Sequence, residues 1–80
     1  MITRAALVEL EKASVVPLEL IGRHAVLDPG VLDADDQAAN ARALIAGLRV
    51  FSAFVYGGEK YYVITEWDRS VTTVMLASDY

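Results

Sequence analysis

The sequence predicts an α+β fold in which three N-terminal helices pack on a three-stranded antiparallel β-meander. Three observations predict it. Residues 50–76 are crowded with Val, Ile, Thr, Tyr, Phe and Trp, which suit a pleated, half-buried surface. That stretch breaks at Gly57-Gly58 and again at Asp68-Arg69, as two consecutive hairpins would. The half that precedes it repeats apolar residues at helical spacing behind capping residues.

Thr3 is placed to cap a first helix over Arg4–Ala13, with Ala6, Leu7, Leu10 and Ala13 as a narrow apolar stripe. Pro17 suits the first turn of a second helix, Pro17–Ala25, because its missing N–H is not needed there. Leu18, Ile21 and Ala25 form the expected apolar side of that helix, and Gly22 weakens it. Asp28-Pro29-Gly30 is a break. Asp33 caps a third helix, Ala34–Ala46, with Asp35 and Asp36 in the first turn where the helix dipole favours anions. Its expected stripe is Ala38, Ala41, Ile45 and Leu48, with Leu44 beside it, and Gly47 terminates it.

The strands are expected at Arg49–Tyr56, Glu59–Trp67 and Ser70–Ala77. Two glycines accept the positive φ that a type I′ turn needs at both central positions. Asp68-Arg69 is read as a second two-residue turn. Turns of even length preserve alternation, so the two faces can be assigned. One face carries Val50, Ser52, Phe54, Tyr61, Val63 and Val74, continued by Thr65, Thr72, Leu76 and Trp67. The other carries Phe51, Val55, Tyr62, Ile64, Val71 and Met75, with Ala53, Thr73, Lys60 and Glu66 among them. Both faces are substantially apolar, whereas an antiparallel sheet commonly turns one polar face to water. Helices segregated to one face leave the other to be covered by something else.

Eighty residues make one domain, 1–80, with a small core. No cysteine is present, so there is no disulfide framework and no thiolate metal site, in keeping with a reducing cytoplasm. No apolar run approaches a membrane span, and the N-terminus has acids in place of an apolar signal core. The net charge of −4 repels phosphate, and the seven Lys and Arg residues are scattered, so direct nucleic-acid binding is disfavoured.

Chemistry-bearing patterns are sparse. His24 is the sole imidazole, and it is a general base only if a carboxylate such as Glu66 or Asp68 approaches it. Asp28, Asp33, Asp35 and Asp36 lack the spacing of a calcium loop and read as caps and a solvated face. Glu66-x-Asp68 is a pair of carboxylates at a strand end, with Asp68 more simply a turn residue. No nucleophile-elbow, zinc-protease, phosphate-loop or dinucleotide pattern occurs. Neither a cofactor nor a metal is expected.

The segment Tyr62–Leu76, YVITEWDRSVTTVML, resembles the closing hairpin of small proteins carried by bacterial plasmids and phages. It covers about a fifth of the chain, and the resemblance implies no activity. The order of elements is also similar to that of the RelE-type ribonuclease toxins, which are basic and cut RNA with Arg, Lys, His or Tyr at the sheet. This chain is acidic, and Tyr61, Tyr62 and Arg69 are what it offers in their place.

The expected function is therefore that of a non-enzymatic protein-binding module of a mobile element. It would inhibit a host defence complex, as anti-CRISPR proteins do, or neutralise a toxin. The expected partner surface is Phe51, Val55, Tyr62, Ile64, Val71 and Met75, because aromatic and Met side chains are favoured at interface cores. The first and third strands are edges without proline, so strand addition by a partner, or pairing of two copies, is open. The alternatives are a RelE-like ribonuclease toxin using His24, Arg69 and a Tyr, and a homodimeric structural protein.

Overall fold

The computed structural model describes residues 1–26 and 28–80, and within these the side chains of all but Leu44 and Ile45. The chain is α+β. Helices α1 (Arg4–Lys12), α2 (Pro17–Ala25) and α3 (Ala34–Ala46) precede strands β1 (Val50–Tyr56), β2 (Glu59–Thr65) and β3 (Thr72–Leu76). A short 3-10 turn, Ala77–Asp79, follows. The sheet is an antiparallel meander in the order β1-β2-β3.

The helix starts follow from their caps. The Thr3 hydroxyl accepts from the Ala6 N–H at 3.3 Å, and the Asp33 carboxylate accepts from the Asp36 N–H at 2.8 Å. Pro17 occupies the first turn of α2. Gly47 ends α3 in the left-handed conformation at φ 72°.

The two-glycine turn has the expected form, with φ of 59° at Gly57 and 81° at Gly58. It sets the register Phe54↔Tyr61 and Ser52↔Val63. The second connection is longer than the expected two-residue turn at Asp68-Arg69. Ladder pairing ends at Thr65↔Thr72, and the six residues between them form a loop. Within it Glu66 N–H donates to the Val71 carbonyl at 3.0 Å and Arg69 N–H to the Glu66 carbonyl at 2.9 Å. Arg69 sits at φ 63°, a left-handed position that costs a non-glycine residue about 1 kcal/mol. The register is nonetheless the one a two-residue turn at Asp68-Arg69 gives, so the face assignment holds within the strands.

Helices α1 and α2 cover the first face. Ala6, Leu10 and Leu20 close over Phe54, Tyr61, Val63 and Val74 to make the core. Burying a side chain the size of leucine or phenylalanine stabilises by about 1.5–3 kcal/mol. The inward side of α2 differs from the expected one. Leu20 and His24 are buried, whereas Leu18 and Ala25 are exposed. A polar His can face the core because both of its nitrogens find partners there. Helix α3 differs more. It does not lie on the core face; it flanks β1, and Ala38, Ala41 and Leu48 of the expected stripe are exposed. Ala43 and Asn40 turn inward in their place. The rest of that stripe, Leu44 and Ile45, lies outside the described side chains. The helices are therefore not all on one face.

Each sheet edge is paired by the chain itself over part of its length, so the expected open edges remain only beyond those contacts. Along β3, Thr3 N–H donates to the Val74 carbonyl at 3.0 Å and Val74 N–H to the Met1 carbonyl at 2.9 Å. Along β1, Val31 N–H donates to the Ala53 carbonyl at 2.7 Å and Ala53 N–H to the Pro29 carbonyl at 3.2 Å. Gly30 is required at that crossing. Its φ is 66°, and a Cβ there would stand 1.8 Å from the Ala53 oxygen. Further along β1, the Asn40 amide caps Phe51 from both sides, accepting from its N–H and donating to its carbonyl, each at 2.7 Å. Unpaired edges invite association, and these contacts engage Phe51 and Ala53 of β1, with the exposed Val55 beyond them.

Candidate functional site

The second face of the sheet is partly covered. Tyr80, beyond the 3-10 turn, folds over it and meets the rings of Phe51 and Tyr62 edge-on, each at 5.5 Å between centroids. Phe51 and Tyr62 meet at 6.1 Å in the same manner. Ile64 lies among these elements with 0% of its surface exposed.

Between this aromatic cluster and α3 lies an open groove of about 590 Å³. Phe51, Tyr62 and Tyr80 form one wall, and Asp36, Ala39, Asn40 and Ala43 of α3 form the other. Leu32, Leu48, Arg49 and Trp67 complete it. Three large apolar side chains stand out at its mouth: Leu48 at 57%, Trp67 at 64% and Tyr80 at 61% exposed. The volume is in the range of ligand and side-chain pockets.

Two ties hold the mouth in shape. The Arg69 guanidinium donates to the Leu48 carbonyl at 2.6 Å and to the Glu66 carbonyl at 3.2 Å, clasping the β2–β3 loop to the α3–β1 junction. Arg49 pairs with Glu66 at 3.2 Å across the same gap. The Arg49 guanidinium also lies over the rings of Phe51 and Tyr80, at 5.3 and 5.8 Å from their centres.

Of the six expected partner residues, Phe51 and Tyr62 line the groove. Ile64, cross-strand from Phe51, is fully buried, so it offers no contact surface. Val55, exposed, and Val71 and Met75, half-buried, stand outside it. Trp67, assigned by alternation to the first face, lines the groove with second-face residues, because the strand ends at Thr65 and alternation stops there. Tyr80, Asn40 and Asp36 carried no local signal of a shared site. The one available hint was the surplus of apolar residues on the second face.

His24 is built into the core, 5% exposed. Its Nδ1 lies 2.7 Å from Ser52 Oγ and its Nε2 lies 2.7 Å from Thr65 Oγ1, which in turn meets Thr72 Oγ1 at 2.8 Å. Its partners are hydroxyls, not Glu66 or Asp68, and neither nitrogen is free. Burial pushes the imidazole below its ordinary pKa, so it is neutral at pH 7. Glu66 instead pairs with Arg49, and Asp68 accepts from the Ser70 hydroxyl at 2.6 Å and from its N–H at 3.0 Å. Those bonds hold the Asp68 carboxyl below the usual range.

No family model, curated protein or solved structure matches this chain.

Among the described residues there is no cluster of three or more His, Cys, Asp or Glu able to hold a metal ion. Among them, too, no helix is long and apolar enough to cross a membrane.

Proposed function

We propose that this chain is a protein-binding module that docks a partner through the groove between α3 and the second sheet face. The observation that carries the reading is the rim: Leu48, Trp67 and Tyr80 are large, apolar, exposed and gathered at one concavity. Scattered exposed apolar side chains need no explanation, but a cluster around a groove has the composition of an interaction site. The partner binds by inserting side chains, because strand addition along the full length of β1 or β3 would have to displace Pro29–Val31 or Met1–Thr3. The acidic chain steers it towards basic partners such as nucleic-acid-handling proteins. An accessory protein of a mobile element that inhibits a host defence complex or neutralises a toxin is the concrete form of this reading.

The test is a pull-down from a bacterial host with the wild-type chain and with Leu48→Ser and Trp67→Ala. Both rim variants are expected to lose the wild-type partner while their thermal midpoints stay close to wild type. Retention of the partner by both variants refutes the groove as the docking site.

A further inference from the structure

The groove's charge and its aromatic wall define what kind of partner fits it, given the docking role proposed above. Arg49, the cation that lines it, is already neutralised by Glu66. Asp36 lines the opposite wall, and among the described residues no cation stands within ion-pair distance of it. Asp33 and Asp35 lie on the same helix start, all three exposed. Asp36 is the carboxylate of the groove's lining. Asp33 and Asp35 stand outside the lining on the same helix start, where together they outweigh the half positive charge of a helix N-terminus and leave this end anionic. The wall facing it already accepts cations. Arg49 sits over Phe51 and Tyr80, and Lys60 sits over Tyr62 at 5.5 Å. Each ring of the aromatic cluster thus carries a cation at a distance where its face attracts one.

We infer that the groove takes a basic, apolar-anchored peptide segment of a partner protein. An aliphatic or aromatic side chain inserts between Leu48, Trp67 and Tyr80, and a neighbouring Lys or Arg pairs with Asp36. The anchor supplies the affinity through buried apolar area, and the cation supplies selectivity and a faster encounter.

Trp67 is the only tryptophan and stands at the groove's mouth, so its emission reports occupancy without a label. The wild-type chain is titrated with three peptides: an amphipathic Leu–Lys peptide, its Leu–Glu twin, and a Ser–Lys peptide that keeps the charge without the anchor. The expected result is a saturable blue shift with the Leu–Lys peptide alone. Asp36→Lys is expected to weaken that binding about tenfold, as attraction becomes repulsion at a partly screened site. Leu48→Ser is expected to weaken it by a similar factor through lost apolar contact. Neither residue is buried, so both variants are expected to fold, with circular dichroism and the thermal midpoint as the check.

Equal binding of the Leu–Lys and Leu–Glu peptides overturns the basic partner while leaving a docking groove. Equal binding of the Ser–Lys peptide overturns the anchor. A blue shift that grows with protein concentration alone, together with a rise in light-scattering mass, shows that a second copy is the occupant and overturns the inference. If no peptide shifts the emission but the rim variants still lose their partner in the pull-down, the peptide chemistry fails and the docking reading survives. If both experiments are negative, both fail.

Discussion

His24 closes a chain of hydroxyls that runs from Ser52 through the imidazole to Thr65 and Thr72. A neutral ring donates from one nitrogen and accepts at the other, so the whole chain can be satisfied in one direction. Protonation does not break these contacts; it costs stability because a charge is buried. The folded pKa is lowered from 6.5, so the unfolded chain binds the proton more readily. Stability is full above about pH 6.5 and falls as the pH drops towards the depressed folded value. Urea midpoints measured from pH 7.5 down to 5 should therefore decline, and His24→Gln should flatten that part of the profile. Asp28 is depressed chiefly by its bond to Arg23, so its contribution is lost only at lower pH, below the ordinary carboxylate range. Tyr61 offers a second test. Its hydroxyl is buried without a hydrogen-bond partner among the described residues. An unpaired buried polar group is destabilising, so Tyr61→Phe should raise stability by about 1 kcal/mol in the same assay.

At the scale of elements, the loop before α3 and α3 itself act as a strap for the sheet. Pro29–Val31 pairs with Ala53, and Asn40 pairs with Phe51. Gly30→Ala places a methyl group against the Ala53 carbonyl in a left-handed position, and should cost about 2–4 kcal/mol. Asn40→Ala removes two hydrogen bonds to the β1 backbone and should cost about 1–2 kcal/mol. Amide hydrogen exchange separates the two. Gly30→Ala should speed exchange at Ala53, and Asn40→Ala should speed it at Phe51. Exchange unchanged at Phe51 in Asn40→Ala would show that α3 does not secure that edge. Freed edges also invite pairing between copies, so Gly30→Ala should raise the tendency to aggregate.

For the whole molecule, the sheet has one face given to the core and another divided between self-covering and a groove. Ile64 and the rim should therefore respond oppositely. Ile64→Ala opens a cavity in a fully buried site and should cost about 2–4 kcal/mol without touching the groove surface directly. Leu48→Ser and Trp67→Ala should change stability by less than about 0.5 kcal/mol while removing the contacts a partner needs. Chemical unfolding of the three variants checks this. A large loss in the rim variants would mean that the rim is structural. Arg69 belongs to the same scale, because its clasp on Leu48 fixes how the two sides of the mouth face each other.

The local features of this fold were legible without coordinates. Thr3, Asp33, Pro17 and Gly47 mark helix ends by chemistry that acts within a few residues. Gly57-Gly58 fixes a two-residue turn, and an even turn fixes which side chains share a face. What no local pattern specified was the cover. Nothing near Asn40 or Gly30 in sequence indicates that each meets β1, nothing around Tyr80 indicates that it folds back onto Phe51 and Tyr62, and the side of α2 that turns inward depends on hydroxyls far along the chain. These contacts join residues distant in sequence, and they form only when the sheet presents partners at the right height and spacing. Residue order thus determined a sheet with two apolar faces. Three-dimensional packing decided that Ile64 is enclosed, that each edge is bridged at its middle, and that the remaining apolar surface gathers into a groove beside α3.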